Sequence, residues 1–213
     1  MGGLRRDLPG STLVGSVTTV AGLLAKGAGN PSVVARGVFL MLLNTAVDVG
    51  KAVLFFPILE KHGKRTALGY LATMIVEVVF LSAGALCLLM IVPLSSQHGL
   101  DSGTAKVLGS LAIQANLTAY QFGEMVLAFG ALFFCSLLFR SRLIPRWLSV
   151  SGLVGYAVLL TGCIAEIFGI HIGTYCTIPG TFFEVAVPFW LFFKGFQPAA
   201  YGKITRLELA SAA

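Results

Sequence analysis

Charge is what this sequence has least of. Only 11% of its 213 residues are Asp, Glu, Lys or Arg, against 56% hydrophobic, and the mean hydropathy is +0.88. Soluble domains carry roughly 25% charged residues, so 15 Lys+Arg and 9 Asp+Glu cannot cover the surface of a soluble fold of this length. A disordered chain is excluded by the same figures, since disorder needs low hydrophobicity and high charge. Histidine is also scarce: His62, His98 and His171 fall in separate loops on different sides of the apolar runs, so they assemble no common metal site. Cys87, Cys135, Cys163 and Cys176 form no CxxC pair and read as packing thiols, with no disulfide framework. No HExxH, nucleophile elbow or P-loop is present, and no cofactor is implied. The alternating ten-residue segments of a transmembrane β-barrel are missing as well.

What is present is a series of apolar runs: Val33–Leu59, Ala67–Val92, Leu117–Phe139, Trp147–Phe168 and a shorter, aromatic-rich Ile178–Phe196. A helix needs about 20 apolar residues to cross the hydrocarbon core. The expected fold is therefore all-α, a polytopic transmembrane bundle with five spans. Residues 1–31 are expected to be an extracytoplasmic segment with a short surface helix, 32–197 the bundle, and 198–213 a cytoplasmic tail. Pro31 suits a first helical turn, Lys61-His62-Gly63-Lys64-Arg65 a charged turn, and Pro93 the end of the second span. Thr104–Ala115 has the pattern of a short surface helix ahead of the third span. Pro188 falls inside the fifth, where neighbouring helices in lipid tolerate it.

Basic residues set the orientation by the positive-inside bias. The turns at 60–66 and 140–146 and the tail from 194 onward hold Lys61, Lys64, Arg65, Arg140, Arg142, Arg146, Lys194, Lys203 and Arg206, the larger share of the 15. That side is expected to be cytoplasmic, with the C-terminus there and the N-terminus outside. The net charge of +6 is then a topology signal and calls for no nucleic-acid partner. The expected partners are membrane lipids, a second copy of the chain and an unidentified small molecule. The expected location is a bacterial cytoplasmic (inner) membrane.

From Leu117 to Leu160 a particular pattern emerges: Tyr120-Gln121-Phe122-Gly123, Gly130, Leu138-Phe139-Arg140-Ser141-Arg142-Leu143-Ile144-Pro145-Arg146, Gly152 and Gly155-Tyr156. The last span adds Gly180, Glu184, Trp190 and Lys194-Gly195. In order and spacing these resemble the domain-of-unknown-function 4386 family of bacterial integral membrane proteins, over roughly residues 10–197. The resemblance also matches Asp48 and Glu77 to acidic positions of that family's second and third helices. It implies a fold and a membrane location, and no reaction. Members of the family begin with one further membrane helix, which this sequence is expected to lack; five spans then leave the N-terminus outside. The family tends to place an arginine three residues before the glutamate matching Glu77. Here Met74 stands there, so no ion pair is carried over.

The acids carry what functional signal there is. Asp48, Glu77, Glu124, Glu166 and Glu184 all lie inside apolar runs, where an ionisable group is costly and by default a functional candidate. At about 1.5 Å per residue, Glu77 stands about 17 Å above the cytoplasmic turn, Glu184 about 15 Å, Asp48 about 18 Å and Lys51 about 13 Å. These four share one slab near the midplane and form the candidate polar cluster. Asp48 and Lys51, three apart, meet on one helix face, and Asn44 extends the stripe. With Lys51 the one positive charge against three acids, at least one carboxyl is expected to stay protonated, able to relay a proton, bind a cation or act as a general acid. Glu124 and Tyr120 are secondary candidates nearer the outer face, and Glu166 reads as structural. The aromatic run of the last span reads as lipid-facing or packed.

Three functions fit. The first is a small carrier or binding protein that handles a proton, cation or amphipathic solute through its midplane carboxyls. The second is a non-catalytic structural or accessory membrane protein whose acids join helices by hydrogen bonds. The third, an intramembrane lipid-modifying enzyme, ranks lowest because no nucleophile or metal motif supports it.

Overall fold

The computed structural model describes residues 31–96, 102–170 and 172–197. The segment and surface helix expected at 1–31, apart from Pro31, and the tail expected at 198–213 lie outside the described residues, as do His98 and His171. Every described element is an α-helix: α1 (Pro31–Leu89), α2 (Ile91–Ser96), α3 (Ser102–Ser141), α4 (Arg146–Ile167) and α5 (Gly173–Lys194). Four stretches are long and apolar enough to cross a membrane: Val34–Pro93, Gly103–Ser141, Arg146–Ile167 and Tyr175–Lys194.

The first of these is not one rod. Helical backbone runs from Pro31 to Leu89 except at Gly63, which is extended (φ 176°, ψ 82°). A straight helix would hold Val38 and Leu88 about 75 Å apart, yet both are buried in one cluster. Lys51 and Tyr70 likewise line a single cavity. The chain therefore reverses at Gly63, within the charged turn, and α1 is a hairpin of two arms. Leu137 closes on the break: a Cβ on Gly63 would sit 2.8 Å from its Cδ1.

Two compact units are built from these helices. In one, comprising Met1–Thr45 and Phe80–Tyr120, the described residues pack Val34, Val38 and Met41 against Ala85, Leu88 and Ile91, with Ala112 and Ile113 beside them. Asn116 is buried there, and its side chain occupies the space that a Cβ on Gly84 would need. In place of the separate surface helix expected at Thr104–Ala115, these residues form the first turns of α3, unbroken to Ser141. Ala112, Ile113 and Asn116 instead pack into this unit, which ties the stretch to the rest of the helix.

The other unit, Ala46–Val79 with Gln121–Ala213, holds the larger core. Here α4 and α5, each 22 residues or about 33 Å long, match the thickness of a hydrocarbon core. They approach closely because α4 presents glycine. A Cβ on Gly155 would meet the backbone of Pro179 and Gly180 at 2.8 Å, and one on Gly152 would meet Phe183 at 2.8 Å. Gly130 of α3 makes the same kind of room for Thr73 of α1. Between membrane helices such packing supplies the attraction, since lipid tails are as apolar as leucine.

The ends are fixed by polar contacts. Glu166 Oε2 accepts the backbone N–H of Gly173 at 2.9 Å, capping the first turn of α5. Gly195 ends α5 in the left-handed region (φ 65°), and Gln197 N–H then bonds to Leu143 O at 2.9 Å. The basic turn is stacked as well, with the Arg146 guanidinium 5.4 Å from the centre of the Phe139 ring. Outward-facing residues are large and apolar: Leu54 is 77% exposed, Phe168 77% and Phe192 84%. A water-soluble monomer rarely shows so continuous an apolar surface; hydrocarbon is its natural solvent.

Candidate functional site

The larger unit holds a partly open cavity of about 280 Å³. Its walls come from both arms of α1 (Lys51 and Phe55; Tyr70), from α3 (Leu127, Ala131, Phe134), from α4 (Tyr156) and from α5 (Phe183, Glu184, Val187, Pro188, Leu191). The aromatic residues form one connected wall. Tyr70 stacks on Phe134 with centroids 4.6 Å apart, Phe55 meets Phe134 edge-on at 5.6 Å, and Phe134 meets Phe183 at 6.5 Å. Phe183 in turn meets Tyr156 at 5.8 Å. Each such pair adds about 0.5–1.5 kcal/mol beyond its burial, so the wall is stiff without being charged.

Polar groups enter this wall at a few points. Lys51 Nζ donates to Asp48 Oδ1 at 3.0 Å, the i, i+3 ion pair, with Lys51 34% and Asp48 17% exposed. Exposure and solvent screening make such a pair weak in water; its effect here is to fix the ammonium at the cavity edge. The Tyr156 hydroxyl donates to Glu184 Oε1 at 2.8 Å and joins α4 to α5. Tyr156 is 4% exposed, whereas Glu184 is exposed. Lys51 lies within electrostatic reach of Glu184 as well as Asp48.

Of the four residues expected to cluster, Lys51 and Glu184 line the cavity and Asp48 is bonded to Lys51. Glu77 differs. It stands seven residues beyond Tyr70, on the same face of α1 but about 10 Å further along, and is not part of the cavity wall. It is 3% exposed, and its Oε2 has no hydrogen-bond partner. Met74, in the position where the resemblance anticipates an arginine, is fully buried in the apolar core. Asp48, Glu124, Lys51 and Glu184 all act on Glu77 electrostatically. Of the secondary candidates, Glu124 is half-buried in this unit, while Asn44, exposed, and Tyr120, half-buried, belong to the other.

Tyr70 and Tyr156 were not expected from the sequence. A signal existed for Tyr156: a phenol buried in an apolar run needs a partner. At about 15 Å above Arg146 it is level with Glu184 at about 15 Å. Tyr70 carried no such mark. The aromatic run of α5 is divided, Phe183 being buried at 2% while Phe182, Phe189, Phe192 and Phe193 face outward. Among the described residues no group of three or more His, Cys, Asp or Glu side chains is placed to hold a metal ion.

Helices of this length and apolarity, exposed aromatics and a polar cluster within an otherwise greasy unit define a multi-pass, all-helical membrane protein. The chain belongs to the family described as domain of unknown function (DUF4386), whose profile matches residues 8–195. Comparison with curated proteins and with solved structures finds no match.

Proposed function

We propose that this protein is a small membrane-embedded binding protein or carrier for an amphipathic solute, held in the cavity between Lys51 and Glu184. The observation that carries the reading is the cavity itself. A volume of about 280 Å³ is close to the lower bound of small-molecule sites, which are mostly apolar with a few placed polar groups. Helices that only needed to be joined would close over such a space, because voids forfeit dispersion contacts. The two arms of α1 each cross the bilayer, and with α3, α4 and α5 they give five spans. The breaks at Gly63 and at Arg140–Arg146 lie on the cytoplasmic side of a bacterial inner membrane, and so few spans favour a homo-oligomer surrounded by lipid.

One observation favours the structural alternative: Lys51 with Asp48, and Tyr156 with Glu184, satisfy one another inside the protein. The experiment that separates the readings is ligand-dependent thermal unfolding of the purified protein against long-chain amines, fatty acids and aromatic alcohols. A solute at ten times its Kd stabilises by about 1.4 kcal/mol, or about 3–6 °C for a chain of this size. Ala131→Phe, which fills the cavity, should erase that shift. If no solute moves the wild-type midpoint, the acids act as helix-joining groups.

A further inference from the structure

Resting on that reading of the cavity, we infer that its solute is a lipophilic monocation, an amine or quaternary ammonium carrying apolar groups. The inference starts from charge. Lys51 is the basic lining residue and Glu184 the acidic one, but the Lys51 ammonium is already bonded to Asp48 at 3.0 Å. Glu184 accepts its hydrogen bond from the Tyr156 phenol, a partner that carries no positive charge. One ammonium therefore stands near two carboxyl groups, and it is bonded to Asp48 and not to the one that lines the cavity.

The wall supplies the second argument. Phe55, Tyr70, Phe134, Tyr156 and Phe183 line the cavity, and aromatic faces carry negative quadrupole potential that attracts alkylammonium groups and repels anions. A carboxylate beside five rings fits an organic cation and opposes a fatty acid. Access supplies the third. Glu184 and Pro188, one turn apart on α5, both line the cavity and are exposed, so it opens on that face. The neighbouring Phe182, Phe189 and Phe192 face outward. At about 15 Å from the cytoplasmic end that opening meets hydrocarbon, so the solute has to be soluble in the bilayer.

The test uses three probes of one shape: benzyltrimethylammonium, its neutral isostere neopentylbenzene, and benzenesulfonate, each radiolabelled and measured by equilibrium dialysis. The cation should bind wild type best. Glu184→Gln, at an exposed position and able to keep the Tyr156 hydrogen bond, should weaken it at least about tenfold, or ~1.4 kcal/mol. Lys51→Met, which removes the ammonium from the wall and frees Asp48 of its ion pair, should tighten it. Equal binding of the neutral isostere, or preferential binding of benzenesulfonate with loss in Lys51→Met, overturns the assignment of class and leaves the binding function standing. Binding of none of the three, with no solute moving the wild-type midpoint in the thermal assay, overturns both.

Discussion

Gly155→Ala tests whether backbone proximity between α4 and α5 builds the site. The added Cβ would lie 2.8 Å from Pro179 C and O and from Gly180 N, where carbon contacts prefer about 3.5 Å or more. Backbone on both helices cannot swing aside, so the pair must part by about 0.7 Å. That motion stretches the Tyr156–Glu184 bond from 2.8 Å to about 3.5 Å, the outer limit of a hydrogen bond. Overpacking costs about 1–3 kcal/mol and the lost bond about 0.6 kcal/mol. Replacing a helical glycine by alanine returns about 1 kcal/mol. The net loss is about 1–2.5 kcal/mol, or a midpoint about 2–10 °C lower. Cys135 and Cys163, both buried, make a thiol-reactive fluorophore a direct reporter of unfolding. Gly69→Ala and Gly109→Ala are the controls: a Cβ at either meets nothing within 4 Å, so both should raise the midpoint. If Gly155→Ala unfolds at or above the wild-type temperature, the close approach is not what holds these helices, and the argument fails.

Two further outcomes follow from the polar groups. Glu77→Leu should raise the unfolding midpoint by the equivalent of about 1–2 kcal/mol, since it removes a buried oxygen without a partner; a lower midpoint in the same thiol assay would make Glu77 a helix-joining residue. Lys51→Met should destabilise more than the Lys51→Met, Asp48→Asn double variant, because the single change strands a half-buried carboxylate. A double-mutant cycle showing no coupling would mean the pair contributes nothing measurable, as many exposed pairs do.

How far the sequence reaches depends on the kind of information each feature needs. Helix content and the apolar runs follow from composition and length alone, and α4 and α5 lie close to the expected segments. The Lys51–Asp48 bond was legible because an i, i+3 spacing is local geometry. Depth along a helix was also legible, which is why Lys51 and Glu184 were expected at one level. Rotation about the helix axis was not. Glu77 has the right depth yet lies outside the cavity wall, and Phe183 faces inward while its neighbour Phe182 faces out. Those angles are decided by which glycines meet which backbones, as Gly155 meets Pro179 and Gly180. A single sequence does not pair such residues. The unbroken α3 had a similar origin: the pattern at Thr104–Ala115 resembled a surface helix only while its packing partners were unknown.

The reversal at Gly63 has a mechanical side. Lys51 sits twelve residues from it on one arm, about 18 Å, and Tyr70 seven residues away on the other, about 10 Å. Both line the cavity, and the break in the helical backbone between them is the extended Gly63. A change of about 10° in the angle at Gly63 would displace Lys51 by about 3 Å, comparable to the reach of a hydrogen bond. Leu137 packs close to Gly63, so that any side chain larger than glycine's would force the angle to change. The spacing of Lys51 and Tyr70 thus depends on backbone geometry at the charged turn, well away from the cavity they line.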